Sequence, residues 1–403
     1  MKIAHYPGTF LPTIGGVELI VHNLAENQAS KENFVFILTK STSKKYILDN
    51  KLNQNYNIGS PIKYSFGVSK LINRVFSSIN PIINAQVEYL QRKFNFDIWH
   101  FNYITINSYV IIEKLNQMKV PTIATYRGAD IQLNTEFQYG KRLVSSFDNL
   151  VKNKINNCSL LTATSKSVID EYKKLGVDDK KIKLIPNFVN LEKFKNSSFN
   201  KNDFKKMYNL PPEKKIILTV GRNHPKKGYD LIPYIIKELL IYRKDFIWLL
   251  IGSDCEIILK EAKLLGIERY IKNIGELGKG DNLLDIPSKR LINYYKTADI
   301  FCFPTRLETF GNVFLEAMAS NLPIVTTNAP GARDNVFHNK NGLVVDIDNI
   351  KGFVQAINQL LNNKTMADKF ILNGMNQVAS YNLDKVSSDY LNTYKEVIDN
   401  GKY

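Results

Sequence analysis

Residues 298–346 place the tightest limits on the fold of this chain, because they read as two buried strands joined by one short helix. Residues 300–303 and 323–327 are apolar runs of the length that fits a buried strand. Between them, residues 312–320 are rich in helix formers and follow Gly311. This order predicts a βαβ unit of a parallel sheet. Ligands of such sheets lie beyond the carboxyl ends of the strands.

Two carboxylates lie in this unit where a ligand is expected. Glu308 falls in the loop after the first strand, and Glu316 falls eight positions later, about one turn into the helix. The first turn of a helix has backbone N–H groups without intrahelical partners, and these bind anions. The groups expected to face the ligand are those of Phe310, Gly311, Asn312 and Val313. The pattern suits a nucleotide-sugar, although two solvated helix-end charges would show the same spacing.

This stretch resembles the Glu-x7-Glu motif of the retaining GT-B glycosyltransferases of family 4, which includes many polysaccharide and lipid-linked oligosaccharide enzymes. The match continues through Phe310-Gly311, Glu316-Ala317-Met318-Ala319, Pro323, Gly331 and Asn341-Gly342-Leu343. The resemblance implies an α/β fold of two Rossmann-like, doubly wound domains that face each other across a cleft containing the active site. It also implies that Glu308 holds hydroxyls of the transferred sugar and that Glu316 holds the ribose hydroxyls.

A glycine pair precedes the first helical pattern. Residues 2–6 read as a strand and residues 17–28 as a helix, with Gly15 and Gly16 immediately before the helix. Glycines at this place let backbone approach a phosphate or a sugar, although most such pairs are only turns. The segment Gly15-Gly16-Val17-Glu18 resembles the Gly-Gly-x-Glu loop of the family. That resemblance implies a position beside the donor diphosphate and the acceptor.

A second group of candidates follows the strand predicted at residues 121–126. The family often has a histidine near the transferred sugar at the position of Arg127, so the departure here puts a histidine-based role in doubt. Arg127 and Asp130 remain candidates for contact with the sugar or with an acceptor phosphate. The alternative is a local Asp–Arg pair within the loop.

The sequence predicts two domains, since 403 residues exceed what one hydrophobic core usually serves. We predict an acceptor-binding domain over residues 1–195 and a nucleotide-sugar-binding domain over residues 205–380. Residues 184–190 resemble the family's hinge segment, with Phe188 in place of a glycine, and a polar linker follows them. By resemblance, the C-terminal helix at residues 383–403 packs back onto the first domain.

Strands alternate with helical segments along most of the chain, as in doubly wound sheets. Predicted strands beyond those already named lie at residues 34–38, 62–66, 97–101, 160–164, 181–185, 215–220, 246–251, 270–274 and 342–345. Predicted helices near the C-terminus lie at residues 289–296, 349–361, 365–380 and 384–398.

A basic loop follows the strand at residues 215–220. Residues 221–228 read Gly-Arg-Asn-His-Pro-Lys-Lys-Gly and resemble the Gly-Arg-x4-Lys-Gly motif of the family. Arg222 can hold two phosphate oxygens of a leaving nucleoside diphosphate, and Lys227 adds a point charge. The ends of the next two strands carry Gly252 and Ile274, and the resemblance implies that both bind the donor, with backbone groups near Ile274 receiving the nucleobase.

The charge of the chain is unevenly distributed. The net charge is +16, and residues 1–200 hold 26 Lys and Arg against 15 Asp and Glu. A basic half suits nucleic acid, an anionic membrane surface or an anionic substrate, but no nucleic-acid-binding module is visible. Residues 68–94 form an amphipathic stretch that either packs on the sheet or lies on a membrane.

The three cysteines of the chain, Cys158, Cys255 and Cys302, read as free core thiols of a cytosolic protein.

The resemblance predicts a hexosyltransferase that moves a sugar, with retention, from a UDP-sugar to a hydroxyl of a glycan or lipid-linked acceptor. GDP- and ADP-sugars stay open as donors. No cofactor or metal is expected, and the acidic residues Asp346 and Asp348 read as a turn and a helix N-cap. We expect a cytoplasmic enzyme, peripheral at the inner face of the plasma membrane. The alternatives are a nucleotide-sugar epimerase on the same fold and a non-catalytic GT-B subunit that binds a partner.

Overall fold

The computed structural model describes residues 1–11, 15–39, 54–59, 80–195, 199–277 and 287–401 of the chain. The chain divides into two compact units, of which the first comprises Met1–Pro186 with Leu383–Tyr403 and the second comprises Asn187–Asn382. Each unit has one sheet in which every neighbouring pair of strands is parallel. Within the described residues, no helix is long and apolar enough to cross a membrane.

The first unit contains a seven-stranded sheet of order β3-β2-β1-β4-β5-β6-β7. Its strands are β1 (Lys2–Pro7), β2 (Phe34–Leu38), β3 (Asn57–Gly59), β4 (Ile98–Asn102), β5 (Thr122–Thr125), β6 (Leu160–Ala163) and β7 (Ile182–Leu184). Its α-helices are Gly16–Ser30, Asn80–Phe94, Ile106–Gln117, Ser145–Lys154, Lys166–Lys174 and Leu383–Asn400. Its short 3-10 helices are Lys141–Leu143, Ile155–Asn157 and Asp179–Lys181.

The second unit contains a six-stranded sheet of order β10-β9-β8-β11-β12-β13. Its strands are β8 (Lys215–Val220), β9 (Phe246–Ile251), β10 (Ile271–Gly275), β11 (Ile300–Phe303), β12 (Ile324–Thr327) and β13 (Gly342–Val345). Its α-helices are Leu191–Lys195, Lys201–Met207, Ile232–Leu239, Glu256–Leu264, Lys289–Thr297, Asn312–Ala319, Ile350–Asn362 and Lys364–Ala379. Its short 3-10 helices are Pro225–Lys227, Tyr229–Leu231 and Glu268–Tyr270.

The central strand β9 of the second sheet is apolar along its whole length, as expected for a strand that is buried on both faces. Every residue of β9 is buried, including Trp248. Several helices begin where the sequence supplies a side-chain cap: Thr105, Ser165 and Ser288 each accept a hydrogen bond from a backbone N–H of the first turn. All three cysteines are free and buried, as the sequence predicted.

The predicted strands and helices match the structure within one or two residues wherever the chain is described, and two differences matter. The predicted strand at residues 62–66 lies outside the described residues, and β3 at Asn57–Gly59 was not predicted. The predicted linker before residue 211 instead contains the helices Leu191–Lys195 and Lys201–Met207. These helices are ordered because Phe194 and Phe204 are buried in the core of the second unit.

The amphipathic stretch at residues 68–94 is described only from residue 80 onward. There it forms the helix Asn80–Phe94, whose Ile83 and Val87 are buried in the core of the first unit. The packing interpretation therefore holds for the described part. Residues 68–79 lie outside the described residues.

Candidate active site

The strand order of the second unit reverses between β8 and β11, which are adjacent in the sheet. Doubly wound sheets bind their ligands at such a switch point, beyond the carboxyl ends of the strands. Arg222 lies two residues after β8, and Glu308 lies five residues after β11. The topology thus brings two sequence-predicted candidates, 86 positions apart in the chain, to one edge of one sheet.

The basic loop after β8 is hydrogen-bonded to the residues at the carboxyl end of β9. The Gly221 N–H donates to the Ile251 carbonyl at 2.8 Å, and the Asn223 N–H donates to the Ser253 carbonyl at 3.0 Å. Gly252 has φ +147°, and a Cβ there would lie 1.9 Å from the Gly221 carbonyl oxygen. No other residue fits this close approach. Gly252, predicted to bind the donor, therefore also holds the Arg222 loop in place, and Arg222 itself is exposed.

The Lys226 carbonyl joins the basic loop to the loop that carries Glu308. It accepts hydrogen bonds from the Arg306 N–H at 2.7 Å, the Leu307 N–H at 3.1 Å and the Thr305 hydroxyl at 3.0 Å. The Arg306 guanidinium adds bonds to Asp230 and Asp348, each at 2.7 Å or less. The two loops therefore form one hydrogen-bonded structure.

The acidic residues after β13 contact other side chains of the same chain. Asp348 pairs with Arg306, and Asp346 accepts a hydrogen bond from the Asn328 amide at 2.9 Å. The cap of the following helix is Asn349, whose side chain accepts from the Gly352 N–H. The turn was predicted correctly, and the capping residue is the asparagine after it.

Glu308 forms an ion pair with Lys227. Both side chains are mostly withdrawn from solvent, at 8% exposed for Glu308 and 19% for Lys227. The Lys227 ammonium also lies 5.2 Å from the centre of the Phe303 ring. The predicted sugar-binding carboxylate and the predicted phosphate-binding cation thus contact each other directly.

The helix Asn312–Ala319 begins beside Glu308. Gly311 is its N-cap and has φ +83°, and a Cβ there would lie 3.7 Å from Cγ of Glu308. Asn312 receives a hydrogen bond from Asn187 at 2.9 Å. Asn187 belongs to the hinge-like motif, but its contact with the helix start was not predicted. Phe310 is buried, whereas Asn312 and Val313 are partly exposed, so the first turn is accessible.

Glu316 faces a partner that the sequence did not predict. Its carboxylate accepts a hydrogen bond from the Tyr295 hydroxyl at 2.8 Å. Burial raises the pKa of the Glu316 carboxyl to about 7, and the Tyr295 hydrogen bond opposes this rise. Tyr295 lies on the helix Lys289–Thr297, whose pattern indicated only a packed helix. The carboxyl of Glu316 therefore changes its charge near neutral pH.

Ile274 lies at an irregularity of the sheet edge. The pairing of β10 with β9 shifts between Asn273 and Gly275, so Ile274 has no partner in the register. A bulge of this kind releases backbone groups from the ladder and is frequent beside binding sites. The geometry suits the predicted contact of these backbone groups with a nucleobase.

In the first unit, Gly15 and Gly16 lie at the start of the helix Gly16–Ser30, and Gly15 is its N-cap. The neighbouring Glu18 is 5% exposed and accepts a hydrogen bond from the Thr9 hydroxyl. Glu18 is thus committed to the loop after β1. Residues 12–14 of that loop lie outside the described residues.

Asp130 does not fit its predicted role at the sugar or acceptor, because its carboxylate is fully buried and accepts hydrogen bonds from backbone N–H groups. It accepts hydrogen bonds from the N–H groups of Ile104 at 2.8 Å, Arg127 at 2.9 Å and Gly128 at 2.8 Å. Direct contact of Asp130 with a sugar or a phosphate does not agree with this burial. The proposed Asp–Arg pair is also wrong in detail, since the bond comes from the Arg127 backbone.

Arg127 remains partly exposed at the carboxyl end of β5. Its guanidinium donates to the side-chain oxygen of Asn102 at 2.6 Å. Asn102 is the last residue of β4, and no sequence signal marked it as part of a site. Of the two candidates after β5, Arg127 is the one that a ligand can reach.

Two family models match the chain. "Glycosyltransferase Family 4" matches residues 14–193, and "Glycosyl transferases group 1" matches residues 200–377. The chain is 24% identical over 405 residues to N-acetyl-alpha-D-glucosaminyl L-malate synthase of Bacillus anthracis, covering 98% of this chain and 97% of that protein.

Another relative is the UDP-Gal:alpha-D-GlcNAc-diphosphoundecaprenol alpha-1,3-galactosyltransferase of Escherichia coli. It is 28% identical over 235 residues, which cover 54% of this chain and 56% of that enzyme. The crystal structure of a glycosyltransferase from Rickettsia africae ESF-5 aligns with a TM-score of 0.76 at 19% identity, covering 99% of each chain. The chain therefore belongs to the family 4 glycosyltransferases and has the GT-B fold.

Proposed function

We propose that this protein is a retaining hexosyltransferase that moves a sugar from a UDP-sugar to a hydroxyl of a glycan or lipid-linked acceptor in bacterial surface polysaccharide or glycolipid synthesis. The observation that carries the proposal is the Lys227–Glu308 ion pair at the switch point of the second sheet, with Arg222 exposed on the adjoining loop. A cation beside a carboxylate at a helix start offers phosphate and hydroxyl recognition together.

The chemistry assigns the charged groups to different parts of the donor. As the glycosidic bond breaks, negative charge builds on the β-phosphate, and Arg222 and Lys227 stabilise it. When Lys227 binds the phosphate, part of its contact with Glu308 is released, and Glu308 then accepts hydrogen bonds from the sugar hydroxyls. Glu316 accepts from the ribose hydroxyls, and the backbone N–H groups of residues 310–313 bind the diphosphate.

In a retaining reaction of this type, the acceptor hydroxyl attacks from the face that the phosphate leaves. The departing phosphate oxygen takes the acceptor proton, so no enzymic nucleophile is required. This chain's own groups bind and orient the reactants, and the cations of the basic loop replace the charge compensation that a divalent metal would provide.

In the first unit, Gly15 and Gly16 lie beyond the carboxyl end of β1, where they border the donor diphosphate and the acceptor. Arg127 lies beyond the carboxyl end of β5 and contacts the sugar or the acceptor. The Escherichia coli relative is named for a UDP-galactose donor and a diphosphoundecaprenol-linked acceptor, which supports this substrate class. We also propose that the enzyme works at the cytoplasmic face of the membrane, where such acceptors are held.

A thermal-shift screen tests the donor. The purified chain is melted with UDP, GDP and ADP and with their common sugar derivatives, in the presence and absence of EDTA. Binding to the folded state raises the melting temperature by linkage. We expect a rise with the uridine series that persists in EDTA. A rise only with guanosine or adenosine nucleotides would mean that the donor is a GDP- or ADP-sugar and not a UDP-sugar. A rise abolished by EDTA would contradict the metal-independent site.

Variants test the leaving-group role. Arg222→Ala and Lys227→Ala should lower turnover by about 100-fold or more while weakening UDP binding by about tenfold or less. The matched control is Arg269→Ala, an exposed arginine just before β10 at the other end of the sheet. Equal and small losses in turnover and binding would refute the assignment.

The same assay separates the two alternatives. Conversion of the donor into an epimer without acceptor would identify an epimerase. Donor binding with neither transfer nor donor breakdown, in the presence of a lipid-linked acceptor extract, would favour a non-catalytic subunit. Transfer of sugar to a hydroxyl with retained configuration, read by NMR of the product, would support the proposal.

A further inference from the structure

One face of the first unit's sheet is polar where it is buried. His5 pairs in register with His100, and Asn102 pairs with Thr125, which pairs with Thr162. Partners in register and residues two apart share a face, so all five side chains project to the same side. All five residues are 0% exposed. Parallel strands normally bury apolar side chains on both faces, so this polar face requires an explanation.

Two helices close this face with polar groups of their own. His5 Nε2 lies 2.7 Å from the Gln28 side-chain oxygen, and Gln28 lies on the helix Gly16–Ser30. The Gln28 amide nitrogen lies 3.4 Å from the hydroxyl of Tyr394, on the helix Leu383–Asn400. That hydroxyl lies 2.7 Å from His100 Nδ1. The C-terminal helix is thus hydrogen-bonded into the interior of the first unit.

Arg127 is hydrogen-bonded to this network through Asn102. The Arg127 guanidinium donates to the Asn102 oxygen at 2.6 Å, and the Asn102 amide nitrogen lies 3.3 Å from His5 Nδ1. At the other end, His100 Nε2 lies 2.7 Å from the Thr125 hydroxyl, which bonds to the Thr162 hydroxyl. A guanidinium only donates hydrogen bonds, so it fixes which way the Asn102 amide points.

That constraint sets the direction of the following bonds. The Asn102 amide nitrogen must donate to His5 Nδ1, so the proton of His5 is on Nε2 and is donated to Gln28. The Gln28 nitrogen then donates to Tyr394. The Tyr394 hydroxyl in turn donates to His100 Nδ1, which leaves the His100 proton on Nε2 for Thr125. Burial lowers the pKa of His5 to about 4 and holds the pKa of His100 well below its ordinary value. Both rings are therefore neutral in these tautomers.

We propose that this directed network is a positioning device for Arg127, in which Asn102, His5 and Tyr394 hold the guanidinium ready for a hydroxyl or phosphate of the substrate. The inference rests on the proposed function, which places Arg127 at the substrate. The arginine at this position is an obligatory donor, and such a donor imposes one direction on the chain of bonds. The network also makes the C-terminal helix, through Tyr394, part of the arrangement that orients Arg127.

A double-mutant cycle tests the proposal in the full chain. Nucleoside diphosphate release is measured with UDP-glucose, UDP-galactose, UDP-N-acetylglucosamine and GDP-mannose as donor probes. Arg127→Met should lower the rate by about tenfold or more, and Asn102→Ala and Tyr394→Phe by about three- to tenfold. In the Arg127→Met background, Asn102→Ala and Tyr394→Phe should change the rate by less than about twofold, because their effect passes through Arg127.

The matched control is Tyr56→Phe, which removes a buried hydroxyl that bonds to His22 Nδ1 outside the network and should leave the rate unchanged in both backgrounds. Losses that multiply in the Arg127→Met background would show a purely structural role and overturn the inference. A wild-type rate for Arg127→Met would instead remove Arg127 from the proposed function, which is a distinguishable result. Circular dichroism establishes that each variant is folded.

A second measurement needs no substrate. The chain has five histidines, so nitrogen-15 labelling of histidine gives a small set of ring signals in NMR. We expect His5 and His100 to be neutral and protonated on Nε2, and Arg127→Met to shift the His5 signals more than Thr162→Val does. A proton on Nδ1 of His5, or a His5 spectrum unchanged by Arg127→Met, would overturn the proposed direction.

Discussion

The Lys227 ammonium and the Glu308 carboxylate form an ion pair between two loops that are 81 positions apart in the chain. The pair joins the basic loop after β8 to the loop after β11, and the Lys226 carbonyl binds the same two loops. Each charge is mostly withdrawn from water, so each depends on the other. Under the proposed function, a diphosphate that enters the site competes with Glu308 for Lys227, which couples donor binding to release of the carboxylate.

The first prediction concerns the stability of this pair. Lys227→Met or Glu308→Gln alone removes this ion pair while one mostly buried charge remains, and each should lower the free energy of unfolding by about 2–4 kcal/mol. The double variant should lose less than the sum of the two single losses, because it removes both charges. Urea unfolding followed by fluorescence measures these values. Additive losses would contradict direct coupling of the two side chains.

The second prediction concerns the pH dependence of donor binding. Burial raises the pKa of Glu316 to about 7, so the carboxyl is protonated below neutrality and ionised above it. An ionised carboxylate accepts ribose hydroxyls better, so UDP should bind about tenfold tighter at about pH 8.5 than at about pH 5.5. Calorimetric titration of UDP measures this change.

Two variants control for the titration of UDP itself. Glu316→Gln cannot ionise and should bind UDP with only the pH dependence that the nucleotide brings. Tyr295→Phe removes the hydrogen bond that lowers the Glu316 pKa, so it should move the midpoint to higher pH. If wild type and Glu316→Gln showed the same pH profile, the assignment of Glu316 to the ribose would be wrong.

The third prediction compares two glycines with nearly the same backbone angle. Gly228 has φ +67° and Gly266 has φ +68°, and both lie in the second unit. A Cβ at Gly228 would lie 1.9 Å from the Pro304 carbonyl oxygen, whereas one at Gly266 would have nothing within 4 Å. Gly266→Ala should cost about 1 kcal/mol of strain, and Gly228→Ala at least about 2 kcal/mol more.

Scanning calorimetry and turnover together check this comparison. Gly228→Ala should also displace Lys227 and reduce sugar transfer, while Gly266→Ala should leave transfer unchanged. Equal melting temperatures for the two variants would mean that the close approach of Gly228 to Pro304 does not constrain the site.

The fourth prediction concerns acid stability of the first unit. Burial lowers the pKa of His5 from 6.5 to about 4, and charge repulsion from Arg127 adds to this effect. Below about pH 6.5 His5 binds a proton in the unfolded chain but stays neutral in the folded chain. The free energy of unfolding therefore decreases as the pH falls toward 4. His5 alone contributes about 3 kcal/mol to this loss.

His5→Gln should flatten the fall in melting temperature between about pH 6.5 and 4.5, although His100 continues to contribute in the same direction. The exposed His338 provides the control, because His338→Gln should keep the wild-type slope. A slope unchanged by His5→Gln would contradict the buried neutral state of His5.

The sequence alone was sufficient for most of the elements and for placing three charged candidates at one edge of the second sheet. Runs rich in apolar residues and bounded by glycine and proline located most of the strands, since a strand buried on both faces is mostly apolar. The motif residues Arg222, Lys227 and Glu308 follow such strands, and parallel strands bring their carboxyl ends to one edge. Local pattern and topology rules therefore placed these residues together.

The tertiary structure decided which groups each side chain contacts. Only packing shows that Asp130 is buried under three backbone N–H groups, that Glu316 meets Tyr295, and that Arg127 is held by Asn102. These partners lie on different elements and follow no sequence period. Burial and hydrogen bonding depend on which elements pack together, so the sequence determined where the reactive groups stand, and the tertiary structure determined their charge and their partners.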